Sequence, residues 1–174
     1  MPILGAIIGG GGSTRFGRDK AVELLEGQAL IDHVRMALAK QVDEIVICGR
    51  DWLGLRGLHD RPEADLGPLG GINAALHYGA AHGFDGILCM PVDVHPAPEN
   101  IADTLFGPEI SVLNEQHLIG YWPVNLADAV DAYLMGGGRK VGRLLDQLSA
   151  RRVDDPAGLT NVNHPDDLEK LKLA

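Results

Sequence analysis

ILGAIIGGGGSTRFGRDKA, residues 3–21, runs a short apolar stretch straight into four glycines and then sets Arg15, Arg18 and Lys20 within six positions. The run ILGAII has strand length and no polar alternation, as expected for a strand covered on both faces of a parallel sheet. Glycines at its carboxyl end let the chain turn tightly, take positive φ and bring bare backbone N–H groups against a ligand.

Two further runs read the same way, EIVIC at 44–48 and GILCM at 86–90. Helical periodicity fills the gaps between the three. Leu30, Val34, Ala37 and Leu38 predict an amphipathic helix over 28–41, and Leu69, Ile72, Leu76 and Ala80 predict a second. Strand and helix in alternation imply an α/β protein with a Rossmann-like, doubly wound, mostly parallel sheet, whose ligand crevice lies at the carboxyl ends of its strands. Beyond residue 105, EISVL and LIGYWPV predict two strands paired antiparallel. Helices follow near 127–135 and 140–148, and NHPDDLEKLKL starts a last helix with Pro165 in its first turn. With no low-complexity linker and no internal repeat, residues 1–174 read as a single domain.

The formal net charge of −9 repels a polyphosphate chain, so nucleic acid is not an expected partner, and any bound anion is small. No stretch approaches the length of a membrane span, and the start lacks the basic segment of a signal peptide. The two cysteines, Cys48 and Cys89, have no paired metal spacing and fall on apolar runs, so both are expected to be buried, reduced and structural. A cytoplasmic location follows as the expectation.

The glycine loop matches neither of two familiar phosphate motifs. G-x-G-x-x-G fails because Thr14 or Arg15 stands where its last glycine belongs, and the P-loop fails because Arg18 and Asp19 follow Gly17 in place of Lys and Ser/Thr. A dinucleotide-binding unit would also need an acidic residue on a following strand end about 20 positions on, and none stands there. Cations here take the part a helix amino end plays elsewhere: Arg15 can fork two phosphate oxygens and Lys20 offers a compact charge. Three such cations repel one another without an anion, which favours a triphosphate or pyrophosphate over a single phosphate. The alternative is a glycine turn with a solvated charge run, Asp19 serving as counter-ion inside the loop.

Asp93 ends GILCMPVD where a buried strand emerges at the crevice, and is the candidate ligand for Mg²⁺, which takes one or two carboxylates together with phosphate oxygens. A turn or capping aspartate is its other reading. His95 and His117 lack partners at ligand spacing and are read as structural. Asp60 and Asp65 flank RPEA before GPLGG, where they suit a ribose hydroxyl, a second metal or a solvated acidic loop.

IIGGGGSTRFGRDKAVELLEGQALIDHV, DLGPLGGINAAL, MPVDVHP, GGGRKV and TNVNHPDDL, in this order and spacing, resemble the molybdenum cofactor guanylyltransferases of the nucleotidyltransferase superfamily almost end to end. The resemblance implies a nucleotide-diphospho-sugar transferase-like fold and transfer of GMP from Mg-GTP to the terminal phosphate of molybdopterin, releasing pyrophosphate. It implies nucleotide contacts at Ile8, Gly9 and Gly10, phosphate contacts at Arg15 and Lys20, Asp60 beside the nucleotide and Mg²⁺ on Asp93. Asn161 and Asn163, with Arg139 or Lys140, resemble the pterin-phosphate end, so the amino-terminal half is expected to take GTP and the carboxyl-terminal half the pterin phosphate. Cofactor-biosynthesis proteins or molybdoenzyme chaperones are the protein partners it implies. Sister enzymes that transfer a cytidylyl group to the same pterin, or a nucleotide to a sugar phosphate, share the first and third motifs. The chain departs from the family at Gly9, commonly alanine, at Cys48–Gly49, where asparagine is frequent, and at Phe16 for methionine.

Overall fold

β1 (Ile3–Ile8) lies between two parallel neighbours, β4 (Glu44–Cys48) and β6 (Gly86–Pro91), in a computed structural model that describes residues 1–10 and 16–174. Between β1 and β4 come a hairpin of β2 (Leu24–Leu25) and β3 (Gln28–Ala29) and then helix α1 (Leu30–Ala39). The edge strand β5 (Arg56–Leu58) and helix α2 (Pro68–Ala81) lead to β6. After it come β7 (Val94–His95), α3 (Ala102–Leu105), β8 (Ser111–Leu113) and β9 (Gly120–Pro123). The chain closes with α4 (Ala127–Met135), α5 (Val141–Gln147), β10 (Arg151–Val153), β11 (Thr160–Asn161) and α6 (Pro165–Leu173).

The main sheet has the order β10-β8-β9-β6-β1-β4-β5. β9 runs antiparallel to both β6 and β8, and the other pairings are parallel. The expected α/β sheet with an antiparallel strand in its second half is therefore the observed one. Every residue of β1 and β6 is buried, which is why neither strand alternates in sequence. Leu4, Ala6 and Ile8 point into one core with α2, α4 and α5, and Ile3 and Ile7 into a second with α1 and α3. Cys48 and Cys89 are free and buried, as expected. No helix among the described residues is long and apolar enough to cross a membrane.

The first helix starts two residues later than its periodicity predicts. Glu26 and Gly27 both have positive φ, 53° and 80°, and turn β2 back onto β3 before the helix begins.

Candidate active site

At the carboxyl ends of β1, β4 and β6 two cavities adjoin. The larger, about 580 Å³, is walled by Cys48, Gly49, His59, Asp60, Asp65 and Gly71. The smaller, about 150 Å³, is walled by Gly9, Lys20, Pro68, Asp93 and Leu118. Ile8 and Gly10 line both, so a ligand with an apolar or planar body and an anionic tail can lie across the end of β1.

Backbone approach shapes the shared wall. A Cβ on Gly10 would stand 2.8 Å from Gly49 Cα, and Gly49 itself has φ +81°, so two glycine backbones pack face to face beneath the larger cavity. Gly9 N–H donates to the Cys48 carbonyl at 3.2 Å, extending the ladder between β1 and β4 one residue past the strand. A side chain at Gly9 would press on Arg50 Cδ at 3.1 Å and Ile47 Cδ1 at 3.2 Å, which gives this departure from the family a local steric reason. Cys48 turns its Cβ toward Gly71 of α2, and burial pushes its thiol up to about 12, so it remains a neutral, apolar wall.

Lys20 Nζ lies 3.0 Å from Asp93 Oδ2, both side chains about three-quarters shielded, at the mouth of the smaller cavity. The two residues are 73 positions apart in sequence and meet because β1 and β6 are adjacent strands whose following turns face each other. Asp19 accepts from Ala21 N–H at 3.2 Å and so caps the short 3₁₀ turn that carries Lys20. Its counter-ion is Arg50, just past the end of β4, with two N···O contacts of 2.9 Å; that hydrogen-bonded pairing holds the Asp19 carboxyl below its usual range.

The cation cluster expected from sequence is partly dissolved. Arg18 forks Glu23 and stays largely exposed, while Lys20 meets Asp93, so mutual repulsion among neighbouring cations is relieved within the protein. Asp19 is a counter-ion, as one reading had it, but to Arg50 rather than to Arg18 or Lys20. Arg15 lies outside the described residues. A helix amino end joins Lys20 at the site: Gly67 and Pro68, which begin α2, wall the larger and smaller cavities respectively, adding the positive end of a 14-residue helix.

Asp60 accepts from Leu66 N–H at 3.2 Å, and its carboxyl is pushed up by burial, aided by the nearby charge of Asp65. Gly70 has no room for a side chain because Cβ would meet that carboxyl at 2.8 Å, so the glycine pair of GPLGG fits α2 against both Asp60 and Cys48.

On the other side of Asp93, β7 and β11 pair antiparallel, with Asn161 opposite Val94, and Val162 N–H donates to the Asp93 carbonyl at 2.7 Å. Asn163 and His164 both donate backbone N–H to Asp167, the acidic member of the capping box that starts α6. Asn161 and Asn163 are thus fixed beside Asp93. Arg139 is held elsewhere: its guanidinium donates to the Leu134 and Gly138 carbonyls at 2.9 and 2.7 Å and lies 3.9 Å from Glu63, in the loop after Asp60. The Lys140 carbonyl accepts from Tyr133. No described hydrogen bond joins this basic turn to Asn161 or Asn163.

Among the described residues no cluster of three or more His, Cys, Asp and Glu is arranged to hold a metal. Two aspartates, Asp19 and Asp93, line the smaller cavity, and with Asp19 tied to Arg50 it is Asp93 that suits a hard cation bringing phosphate oxygens as its remaining ligands, which is how Mg²⁺ is commonly held. His95, two residues on, is buried against the Val92 carbonyl at 3.1 Å, and burial pushes its imidazole down, fitting its structural reading.

Residues 5–153 match the model of the MobA-like NTP transferase domain. The chain belongs to this family. It is 34% identical to the molybdenum cofactor guanylyltransferase of Rhodobacter capsulatus, covering 99% of this chain and 96% of the relative. It is 30% identical to that of Acidiphilium cryptum, with 94% and 90% covered. The crystal structure of molybdopterin-guanine dinucleotide biosynthesis protein A from Archaeoglobus fulgidus superposes with a TM-score of 0.78 at 21% identity, covering 98% and 97% of the two chains, and shares the fold.

Within this MobA-like frame, sequence reading passed over Arg50, His59 and a polar link behind α2. In that link Asn73 and His77 of α2 both reach Asp131 of α4, and Asn73 also donates to the Arg61 carbonyl at 3.3 Å. Asn73 and His77 stand one turn apart inside an otherwise apolar helix, a spacing that marks a shared partner. Arg50 and His59 carry no comparable signal, because their places depend on how the segment after β4 returns to β5.

Proposed function

We propose that this chain transfers GMP from GTP to the terminal phosphate of molybdopterin, forming the guanine dinucleotide cofactor and releasing pyrophosphate. The observation that carries this reading is the pair of adjoining cavities, one of nucleoside size and one flanked by Lys20 and Asp93, in a chain whose relatives are named for that reaction. The base and ribose occupy the larger cavity along Ile8 and Gly10, with Asp60 at its wall, and the triphosphate passes Gly9 into the smaller one.

The chemistry needs no protein nucleophile. An ionised oxygen of the acceptor phosphate attacks the α-phosphorus, a new P–O bond forms, and the bond to the α–β bridging oxygen breaks with its electron pair leaving on pyrophosphate. Positioning and charge neutralisation supply the catalysis. Lys20, with Arg15, neutralises the departing pyrophosphate, and the amino end of α2 faces the same negative charge. Asp93 would hold a Mg²⁺ arriving with the nucleotide, which when bound withdraws charge from the phosphates. Asn161 and Asn163, fixed beside Asp93, receive the acceptor phosphate, with Arg139 or Lys140 as the neutralising cation. The reaction belongs to the cytoplasm, where the product passes to cofactor-biosynthesis proteins or molybdoenzyme chaperones.

Purified protein given GTP, Mg²⁺ and molybdopterin is expected to release pyrophosphate in step with incorporation of GMP into the pterin. No product with GTP, or faster product with CTP, would overturn the assignment.

A further inference from the structure

Arg50 follows Gly49, a wall of the larger cavity, and pairs with Asp19, a wall of the smaller one. Exposed pairs contribute little unless their geometry is bidentate and fixed. This one is bidentate, with Nη1 2.9 Å from Asp19 Oδ1 and Nη2 2.9 Å from Asp19 Oδ2. The Arg50 stem runs beneath Gly9, whose missing side chain leaves the room for it. Its guanidinium lies 5.6 Å from the centre of the Trp52 ring, and Trp52 is itself anchored by its indole N–H to Asp32 of α1 at 2.9 Å. Arg50 Nε is buried and makes no hydrogen bond among the described residues, an uncompensated cost at this group.

We infer that Arg50 is a positioning residue for nucleotidyl transfer: through Asp19 it fixes the 3₁₀ turn that carries Lys20, and so sets Lys20 against Asp93 at the phosphate cavity. The inference rests on the function proposed above. The linkage is continuous. Arg50 holds the Asp19 carboxylate, that carboxylate accepts from Ala21 N–H, Glu23 N–H closes the turn on the Lys20 carbonyl at 3.1 Å, and Lys20 Nζ reaches Asp93. Gly49, which precedes Arg50, meets Gly10 beneath the nucleoside cavity, so one backbone segment braces both subsites.

Arg50→Met keeps an unbranched stem under Gly9 and removes the fork, and Asp19→Asn removes the paired charge. Displacing a reacting or stabilising group by an ångström costs about 100-fold, so each variant is expected to lower kcat about 10- to 100-fold while KM for GTP changes less than about threefold. The double variant is expected to fall no further than either single one, because both break the same link. Arg50→Lys, which restores a charge without the fork, is expected to recover only part of the loss. Unchanged kcat in Arg50→Met, or multiplicative losses in the double variant, would overturn the inference.

Amide hydrogen exchange supplies an arm independent of turnover. Ala21 and Glu23 are expected to exchange at least about tenfold faster in nucleotide-free Arg50→Met than in wild type, because local opening is set by the contacts that close the turn. Equal rates would overturn the inference whatever the activity. If instead wild type transfers no GMP, the functional reading fails, and faster exchange would still show that Arg50 holds the Lys20 turn.

Discussion

Lys20 and Asp93 owe their meeting to two strand ends, and the proposed reaction gives each a separable job at the phosphates. Removing one preorganised charge from a shielded site typically costs ~10²- to 10³-fold in turnover. Lys20→Ala and Asp93→Ala are each expected to lose that much kcat in the pyrophosphate-release assay, and near wild-type rates in both would remove this cavity from the mechanism. His95 makes a prediction of a different kind. Burial holds its folded pKa below the unfolded value of about 6.5, so above that pH the group is neutral in both states. As pH falls below it, the unfolded chain takes up a proton that the folded protein resists, and stability declines until pH passes the lower folded pKa. The urea midpoint is therefore expected to drop below pH 6.5, and His95→Gln, which can still donate to the Val92 carbonyl, is expected to flatten that drop. Equal slopes would assign the titration to another group. Lys20 and Asp93 were legible in the sequence because each follows an apolar run at a distance that puts it at the crevice. Arg50 was not, because its partner lies 31 positions away across a turn whose return path no local pattern encodes.

Strand ends, rather than side chains alone, build the larger cavity, and Gly49 is where that construction is most exposed to test. Its φ of +81° and the 2.6 Å approach that a Cβ would make to Gly10 Cα together exclude any larger residue without movement of the β1 or β4 end. Backbone held in such a region costs about 1–3 kcal/mol when the residue is not glycine. A protein of this size loses ~2–4 °C of Tm per kcal/mol. Gly49→Ala is expected to melt several degrees lower and to bind GTP more weakly by calorimetry, because the cavity wall must shift to admit the methyl group. A variant with unchanged Tm and affinity would show that the two backbones are not in contact. The long elements here were readable because burial on both faces leaves β1, β4 and β6 as continuous apolar runs, and α1 shows one apolar stripe. β5 and β10, RGL and RRV, were not, since edge strands carry polar and charged residues that discourage further pairing. β3 hid in the first two positions of a helical period, although Glu26–Gly27 before it was the signal of a hairpin.

At the scale of the whole molecule, charge and fold pull the ligand in opposite directions. A formal charge of −9 opposes the approach of a triphosphate, whereas the site gathers Lys20 and the amino end of α2 at one crevice. In the proposed reaction a cation travelling with the nucleotide would resolve the conflict, lowering the charge that must approach and taking Asp93 as a ligand. A ligand that binds only the folded state adds RT ln(1 + [L]/Kd), about 2.7 kcal/mol at a concentration 100 times Kd. GTP with Mg²⁺ at that concentration is accordingly expected to raise Tm by ~5–10 °C in a protein of this length. GTP with EDTA is expected to give less than half that shift, because the same phosphates then meet the protein's field unneutralised. CTP and ATP with Mg²⁺ bring identical phosphates and differ only in the base that enters the larger cavity, so their deficit relative to GTP measures what Cys48, Gly49 and the loop from His59 to Asp65 contribute to recognition. A shift with CTP equal to that with GTP would leave phosphate binding intact and place the chain's base preference elsewhere in its family. Equal shifts with and without Mg²⁺ would instead separate Asp93 from nucleotide binding.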